Sequence, residues 1–247
     1  MFSADQFVAH RGYALYYPEN TLTAVTAAIR AGAVCIEVDI QFSQDGIPFL
    51  YHDANLLRVS GIDASIFDYS AEALSKLSAY EPERFAEQFR NVPIASAEEF
   101  ALLVSVRPFI HFYIELKEES IAQFGLHFCL DKLAQLFPAT LQNITLISFD
   151  LDAVRLAKTQ YGFSHTGIVF RDWAQRNHLI DAYSADIAYI NIKRIPQDEA
   201  IQANCPIIVY EIDQPDLAAT ALQRGAAKVE TYAIGELIQA LCKQNMT

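Results

Sequence analysis

Three observations in this sequence favour a single (β/α)8 TIM barrel. Eight short strand-like runs alternate roughly with helical stretches from Phe7 to the C-terminal region. The 247 residues are close to the ~250 that such a barrel uses. No G-x-G-x-x-G follows the first strand, which disfavours a doubly wound open sheet. One domain over residues 1–247 is therefore expected, with a small insertion at 54–92 after the hairpin of the second strand.

Phe7-Val8-Ala9 is an apolar run ending at His10-Arg11-Gly12, where Gly12 permits a turn that a β-carbon would forbid. Leu22, Val25, Ala28 and Ile29 recur at helical spacing; Asn20 or Thr21 can cap that helix and Gly32 ends it. Cys35 to Phe42 alternates strictly, with Cys35, Glu37, Asp39 and Gln41 on one face. Asp45-Gly46 marks a hairpin, and Pro48 to Tyr51 returns antiparallel. The punctuated stretch to Arg90 holds a short helix at Ser70 to Ala79 and reads as a plain loop or as a lid. Ser96 and Glu99 form a capping box before the stripe of Phe100, Leu103 and Val104.

Phe109 to Leu116 is the next strand, and Ser120 to Phe137 reads as one long amphipathic helix. Strands follow at Ile144–Phe149, Thr166–Phe170, Ile187–Ile192, Pro206–Ile212 and Ala227–Thr231. Helices between them are expected at Leu151–Tyr161, in the stretch to Tyr183, at Gln197–Ala203 and at Asp216–Arg224, with a last one to about Lys243.

Apolar residues make up 52% of the chain, enough for a core without staples. The net charge of −12, with no local Lys/Arg cluster, argues against nucleic acid and against a charge-driven grip on anionic membranes. No apolar run approaches the ~20 residues of a membrane helix, so no stable membrane insertion is expected. MFSADQFVAHRG lacks the features of a signal peptide, which points to the cytoplasm, and Cys35, Cys129, Cys205 and Cys242 are expected to be reduced thiols. The pattern is compatible with a monomer or an oligomer.

The chemistry concentrates between Val8 and Asp53. Glu37 and Asp39, two residues apart on a covered strand, would repel each other unless a cation sat between them, and oxygen-only ligands suit Mg²⁺ or Ca²⁺. Depending on which two residues form the turn, His52 lands opposite Glu37 to Asp39, and His10 joins them if its strand is the neighbour. In a barrel, chemistry sits at the carboxyl ends of strands, and His10, Glu37, Asp39, Glu115 and Lys117 fall at or near such ends.

HRG at 10–12, PENT at 18–21, E-x-D at Glu37 and Asp39, DG at 45–46 and HD at 52–53 together resemble the glycerophosphodiester phosphodiesterase family. The resemblance implies a phosphoric diester hydrolase that uses a divalent metal, Mg²⁺ or Ca²⁺. Its substrate would be a small-molecule glycerophosphodiester, a deacylated phospholipid cleaved to glycerol 3-phosphate and an alcohol. It implies His10 and His52 as the acid–base pair, an assignment that histidine's pKa of ~6.5 suits.

The E-L-K of Glu115 to Lys117 resembles the family's third metal carboxylate and a phosphate-holding lysine; alone, it reads equally as a strand-end ion pair. Arg11 offers a planar fork to the phosphate. Glu19 and Asn20 of PENT lie near the active site in the family, and Glu19 is counted with the substrate-binding residues, although a turn and helix cap explain the same motif. Ser148-Phe149-Asp150 resembles an S-F-D that places Phe149 on the pocket wall.

The C-terminal third departs from the family. Tyr210, counted here as substrate-binding, Glu211 and Asp213 stand where a tryptophan-rich strand ending in asparagine is usual. Glu230 stands where isoleucine or threonine is expected, and a final aspartate and proline are missing. Two other readings stay open: a lysophospholipase D-like activity on single-chain lipids, and a non-catalytic barrel that binds a phosphorylated ligand.

Overall fold

A computed structural model of the protein describes residues 2–138 and 142–242. Its strands are β1 (Phe7–Ala9), β2 (Cys35–Phe42), β3 (Pro48–Leu50), β4 (His111–Leu116), β5 (Ile144–Ser148), β6 (Thr166–Val169), β7 (Ile187–Asn191), β8 (Ile207–Tyr210) and β9 (Lys228–Thr231). Eight of them run parallel in the order β1-β9-β8-β7-β6-β5-β4-β2, and pairing of Ala9 with Ile36 closes the ring. The expected TIM barrel is therefore the fold. The extra strand, β3, lies antiparallel on β2 with Leu50 opposite Ile40; the connection is the five-residue loop 43–47, with Gly46 at φ 74°, and not a two-residue Asp45-Gly46 turn.

Alternation along the strands sorts the side chains. Ile36, Val38, Ile40, Phe112 and Ile114 point outward and pack with helix residues such as Val25, Phe100 and Leu130 in the main core. Val8, Cys35, Tyr113, Ile147, Val169, Tyr189 and Ile208 form a second buried cluster inside the barrel. Two residues further along the same strands come His10, Glu37, Glu115, Phe149 and Tyr210, on the same side but nearer the carboxyl-end rim. The ring of strands thus gathers residues that lie far apart in sequence.

The Leu22–Ala31 helix shows why local sequence suffices for some elements. The Thr21 hydroxyl accepts the Ala24 N–H at 3.1 Å, and Gly32 closes the helix at φ 101°. Ser96 and Glu99 make the expected capping box on the Ala97–Ser105 helix. Gly12 sits at φ 81°, and a Cβ there would lie 2.6 Å from the Ala24 carbonyl carbon. Only glycine lets the His10–Arg11 turn press against this helix.

Some expected elements differ. The single helix over Ser120–Phe137 is two, Glu118–Phe124 and Leu126–Leu136, because Gly125 takes φ 85° and ψ 147° between them. No helix covers Gln197–Ala203. Instead Arg224 donates to the Pro196 and Glu199 carbonyls, and Ile201 N–H donates to the Arg224 carbonyl at 2.7 Å. A side chain thereby satisfies acceptors that a helix would otherwise use. The helix expected at Ser70–Ala79 shrinks to Ala71–Leu74, after which Ala79 N–H bonds the Val92 carbonyl. The last helix is Ile234–Leu241, and its expected end at Lys243 lies outside the described residues.

The insertion at 54–92 has its own small core, in which Leu56, Val59, Ile66, Leu74 and Ala79 pack with Phe49, Tyr51 and Ile94. Among the described residues no helix is long and apolar enough to cross a membrane. The four cysteines are free thiols.

Candidate active site

β2 and β4 pair in parallel with Asp39 in register with Glu115, so those two carboxylates lie side by side, with Glu37 one inward step below Asp39. Oxygens of Glu37, Asp39 and Glu115 come within 4.8 Å of one another. Glu37 and Asp39 are 2% and 1% exposed, and Glu37 Oε1 has no hydrogen-bond partner. Three carboxylates so close, two of them buried and one with an unsatisfied oxygen, fit an oxygen-ligated hard cation such as Mg²⁺ or Ca²⁺.

The three acids are not equivalent. Burial would raise the pKa of Asp39, but Lys117 and Arg11 outweigh it and hold the carboxyl well below the usual range. Asn20 fixes Asp39 twice: its Nδ2 donates to Oδ2 at 2.8 Å, and its Oδ1 accepts the Asp39 N–H at 2.9 Å. Burial, then Asp39 and Glu230, push Glu37 far up. Burial also raises Glu115, against the opposing pull of Lys117, whose Nζ donates to Oε1 at 2.6 Å.

His10 leaves β1 with its N–H on the Thr231 carbonyl at 2.9 Å and its ring stacked on Tyr232, centroids 4.5 Å apart. Burial, then Arg11, lowers its pKa well below 6.5, so the ring is neutral at neutral pH. His52 follows the hairpin, where Tyr51 N–H donates to the Asp39 carbonyl at 3.1 Å. Its Nδ1 lies 2.6 Å from Asp53 Oδ1. Asp53 is held ionised, against burial, by His52 and Arg58. An ionised Asp53 accepts, so the proton of that bond sits on Nδ1.

Arg11 turns at φ 55°, and its N–H donates to Glu37 Oε2 at 3.1 Å. Its Nη1 donates to Glu19 Oε1 at 2.9 Å, while Nε rests 3.1 Å from Asp39 Oδ2 as an ion pair without aligned hydrogen-bond geometry.

His10, Arg11, His52, Glu115, Lys117, Phe149, Tyr210, Glu211 and Glu230 line one cavity of about 170 Å³. Glu37 and Asp39 do not line it but lie directly against residues that do, Glu37 bonded to Arg11 and Asp39 paired with Arg11 and Lys117. Glu19 is not among the lining residues. It sits behind Arg11, with its two oxygens also accepting Arg58 Nη1 and Nη2 at 2.7 Å each. Its contact is with the arginines and not with the cavity. The insertion contributes no lining residue. It supplies Arg58, which also bonds Asp53, and Glu81, which accepts the Glu19 N–H at 2.7 Å.

Sequence reading missed Arg58, Glu81 and Tyr232, gave Asp53 no role beyond the HD motif, and saw Glu230 only as a departure. Glu230 lies in register with Val8, faces the barrel interior and puts Oε2 3.7 Å from His10 Nε2. Strand alternation from Lys228 to Glu230 was the available signal; Arg58 and Glu81 offered none.

The sequence model of the glycerophosphoryl diester phosphodiesterase family matches residues 10–234. Glycerophosphodiester phosphodiesterase 1 of Bos taurus is 27% identical over 167 residues, covering 68% of this chain and 49% of its own length. A glycerophosphodiester phosphodiesterase of Bacillus altitudinis is 38% identical over 109 residues, 44% of each chain. The chain spans about half the length of these curated relatives. An Oleispira antarctica phosphodiesterase, solved in complex with the product sn-glycerol-3-phosphate, matches with a TM-score of 0.81 over 96% of both chains. At 22% identity that likeness carries the fold.

Proposed function

Because this chain belongs to the glycerophosphoryl diester phosphodiesterase family, we propose that it hydrolyses small glycerophosphodiesters to glycerol 3-phosphate and an alcohol. The observation that carries this reading is the meeting of two histidines, two cations and a carboxylate triad around one cavity. A binder of a phosphorylated ligand needs the cations but not a pair of imidazoles.

Glu37, Asp39 and Glu115 would hold a divalent ion, and when bound it supplies positive charge for the phosphate oxygens. Arg11 and Lys117 add fixed positive charge, kept in place by Glu19, Asp39 and Glu115. His10 and His52 carry the two proton transfers: one takes a proton from the attacking hydroxyl and the other gives one to the leaving alkoxide. Tyr232 fixes the plane of His10, and Asp53 fixes the tautomer of His52. Phe149 and Tyr210 form the wall on the leaving-group side.

A panel of glycerophosphodiesters assayed with chelator, with Mg²⁺ and with Ca²⁺ tests the reading. Turnover is expected with ion and not with chelator. His10→Ala and His52→Ala should each lose ~10²–10⁴-fold in rate while still binding the ion. Near wild-type rates in both variants would overturn the assignment.

A second reading has one observation in its favour. A groove of about 630 Å³, in which Ile192, Ile195, Ile212 and Leu217 stand among Lys193, Gln197, Thr220 and Arg224, shares Glu211 with the cavity. An acyl chain would fit there, as a single-chain lysophospholipid requires. Faster cleavage of lysophosphatidylcholine than of glycerophosphocholine would select it.

A further inference from the structure

We propose that His10, Glu37 and Glu230 form a second cation site, suited to a transition ion such as Zn²⁺ and joined to the first through Glu37. Their ligand atoms lie within 4.8 Å of one another. His10 Nε2 is 3.8 Å from Glu37 Oε2 and 3.7 Å from Glu230 Oε2. Both distances are too long for hydrogen bonds. They are close to the ~3.3–3.6 Å between neighbouring ligands of a four-coordinate ion bound at ~2.0–2.2 Å.

A second observation is independent of that proximity. Glu230 is 3% exposed, lines the cavity, and its Oε1 has no hydrogen-bond partner; Glu37 Oε1 and His10 Nδ1 are also buried without one. Among the described residues, the only ion-pair neighbour of Glu230 is His10. Lys117 and Arg11 serve Asp39, Glu115 and Glu19 instead. A buried carboxylate with one bare oxygen and no cation of its own asks for a bound one.

The donor set decides the class of ion. Three carboxylates favour Mg²⁺ or Ca²⁺, whereas an imidazole beside two carboxylates favours a first-row transition ion. The stack on Tyr232 already holds the imidazole plane. An ion at this place occupies Nε2 of His10. On the proposed function, which this consequence alone rests on, Zn²⁺ therefore slows turnover in Mg²⁺.

Zn²⁺ titration of the Mg²⁺-saturated protein, followed by calorimetry and by metal analysis, tests the site without any turnover. One Zn²⁺ per chain is expected to bind beside the retained Mg²⁺, with one histidine Nε2 resonance shifting in the ¹H–¹⁵N spectrum. Glu230→Gln, checked for cooperative melting, should weaken that Zn²⁺ at least ~10-fold. No added Zn²⁺, release of Mg²⁺ in its place, or unchanged affinity in the variant overturns the proposal. The wild-type stoichiometry and spectrum decide the matter even if the variant does not fold. Failure of phosphodiester turnover leaves this binding result untouched, so the two readings fail separately.

Discussion

Glu19 is the residue whose replacement most directly tests how the site is held. Its carboxylate is 4% exposed and binds three guanidinium nitrogens: Arg11 Nη1 at 2.9 Å and Arg58 Nη1 and Nη2 at 2.7 Å. Glu19→Gln keeps the shape, removes the charge and turns an amide donor toward one of those arginines. The Arg11 side chain is 10% exposed, so its charge would be left half-paired in a buried place. Breaking a buried pair from one side costs ~3–5 kcal/mol. The Arg58 side chain is 41% exposed and its share is discounted for solvent.

A loss of about 3 kcal/mol follows, which for a chain of this size lowers the melting temperature by roughly 6–12 °C. The sign with pH is also fixed. Burial would raise the Glu19 pKa, but Arg11 and Arg58 outweigh it and depress it in the fold. The stabilisation is therefore complete above the unfolded value of ~4.3, and it is lost as pH falls through the depressed folded value. Thermal unfolding of wild type and variant from pH 7 into acid should show a gap that narrows only at the acid end. A drop of less than about 2 °C at pH 7, the expectation for an exposed pair worth under ~1 kcal/mol, would refute the reasoning. A gap that persists unchanged into strong acid would do the same.

Divalent-ion stabilisation should grow with pH. Burial and mutual repulsion raise Glu37, Glu115 and Glu230 in the fold, so their contribution is complete below the unfolded value and is lost as pH rises through the raised values. The depressed group Asp39 works the other way, but only at acid pH. Melting curves with chelator and with Mg²⁺ or Ca²⁺ should therefore diverge more at pH 8 than at pH 5.5; a constant gap would count against the carboxylate site. Asp53→Asn keeps one acceptor oxygen, which Arg58 Nε claims, and turns an amide donor toward His52 Nδ1, so the present His52 tautomer loses its support. It should lower kcat by ~10–100-fold with little change in ion affinity, as steady-state kinetics and ion titration would show; an unchanged kcat would leave Asp53 no positioning role.

How much of this was legible in the sequence depends on whether the signal was local. The hairpin at Asp45-Gly46, the cap at Thr21 and the alternation of Glu37 and Asp39 rest on neighbouring residues, and the structure has all three. Ring closure was legible only as a count of strands. The split at Gly125 and the missing helix at Gln197–Ala203 were not legible as read. The first needs the weight of one glycine inside a good apolar stripe. The second depends on Arg224, about a helix and a strand away. Arg58 and Glu81 lie in an insertion without pattern, and only tertiary structure brings them to Glu19.

Glu230 differs, since its signal was local but weak. Placing Lys228 on the inner face of a four-residue strand also places Glu230 there, in register with Val8 beneath His10.

The geometry also separates the acid that is fixed from the acids that adapt. Arg11 and Asn20 both take left-handed backbone, at φ 55° and 54°, a conformation that costs a non-glycine residue ~1–3 kcal/mol. They are tied to each other by the Asn20 N–H on the Arg11 carbonyl at 3.1 Å, and both grip Asp39. That strain is spent on one carboxylate, which stays charged and in place whatever else binds. Glu37, Glu115 and Glu230 face it without such clamps on every oxygen and have raised proton affinities. On the proposed assignment of these carboxylates as cation ligands, a cation exchanges for protons on the three without moving the backbone, because Asp39 stays charged between them.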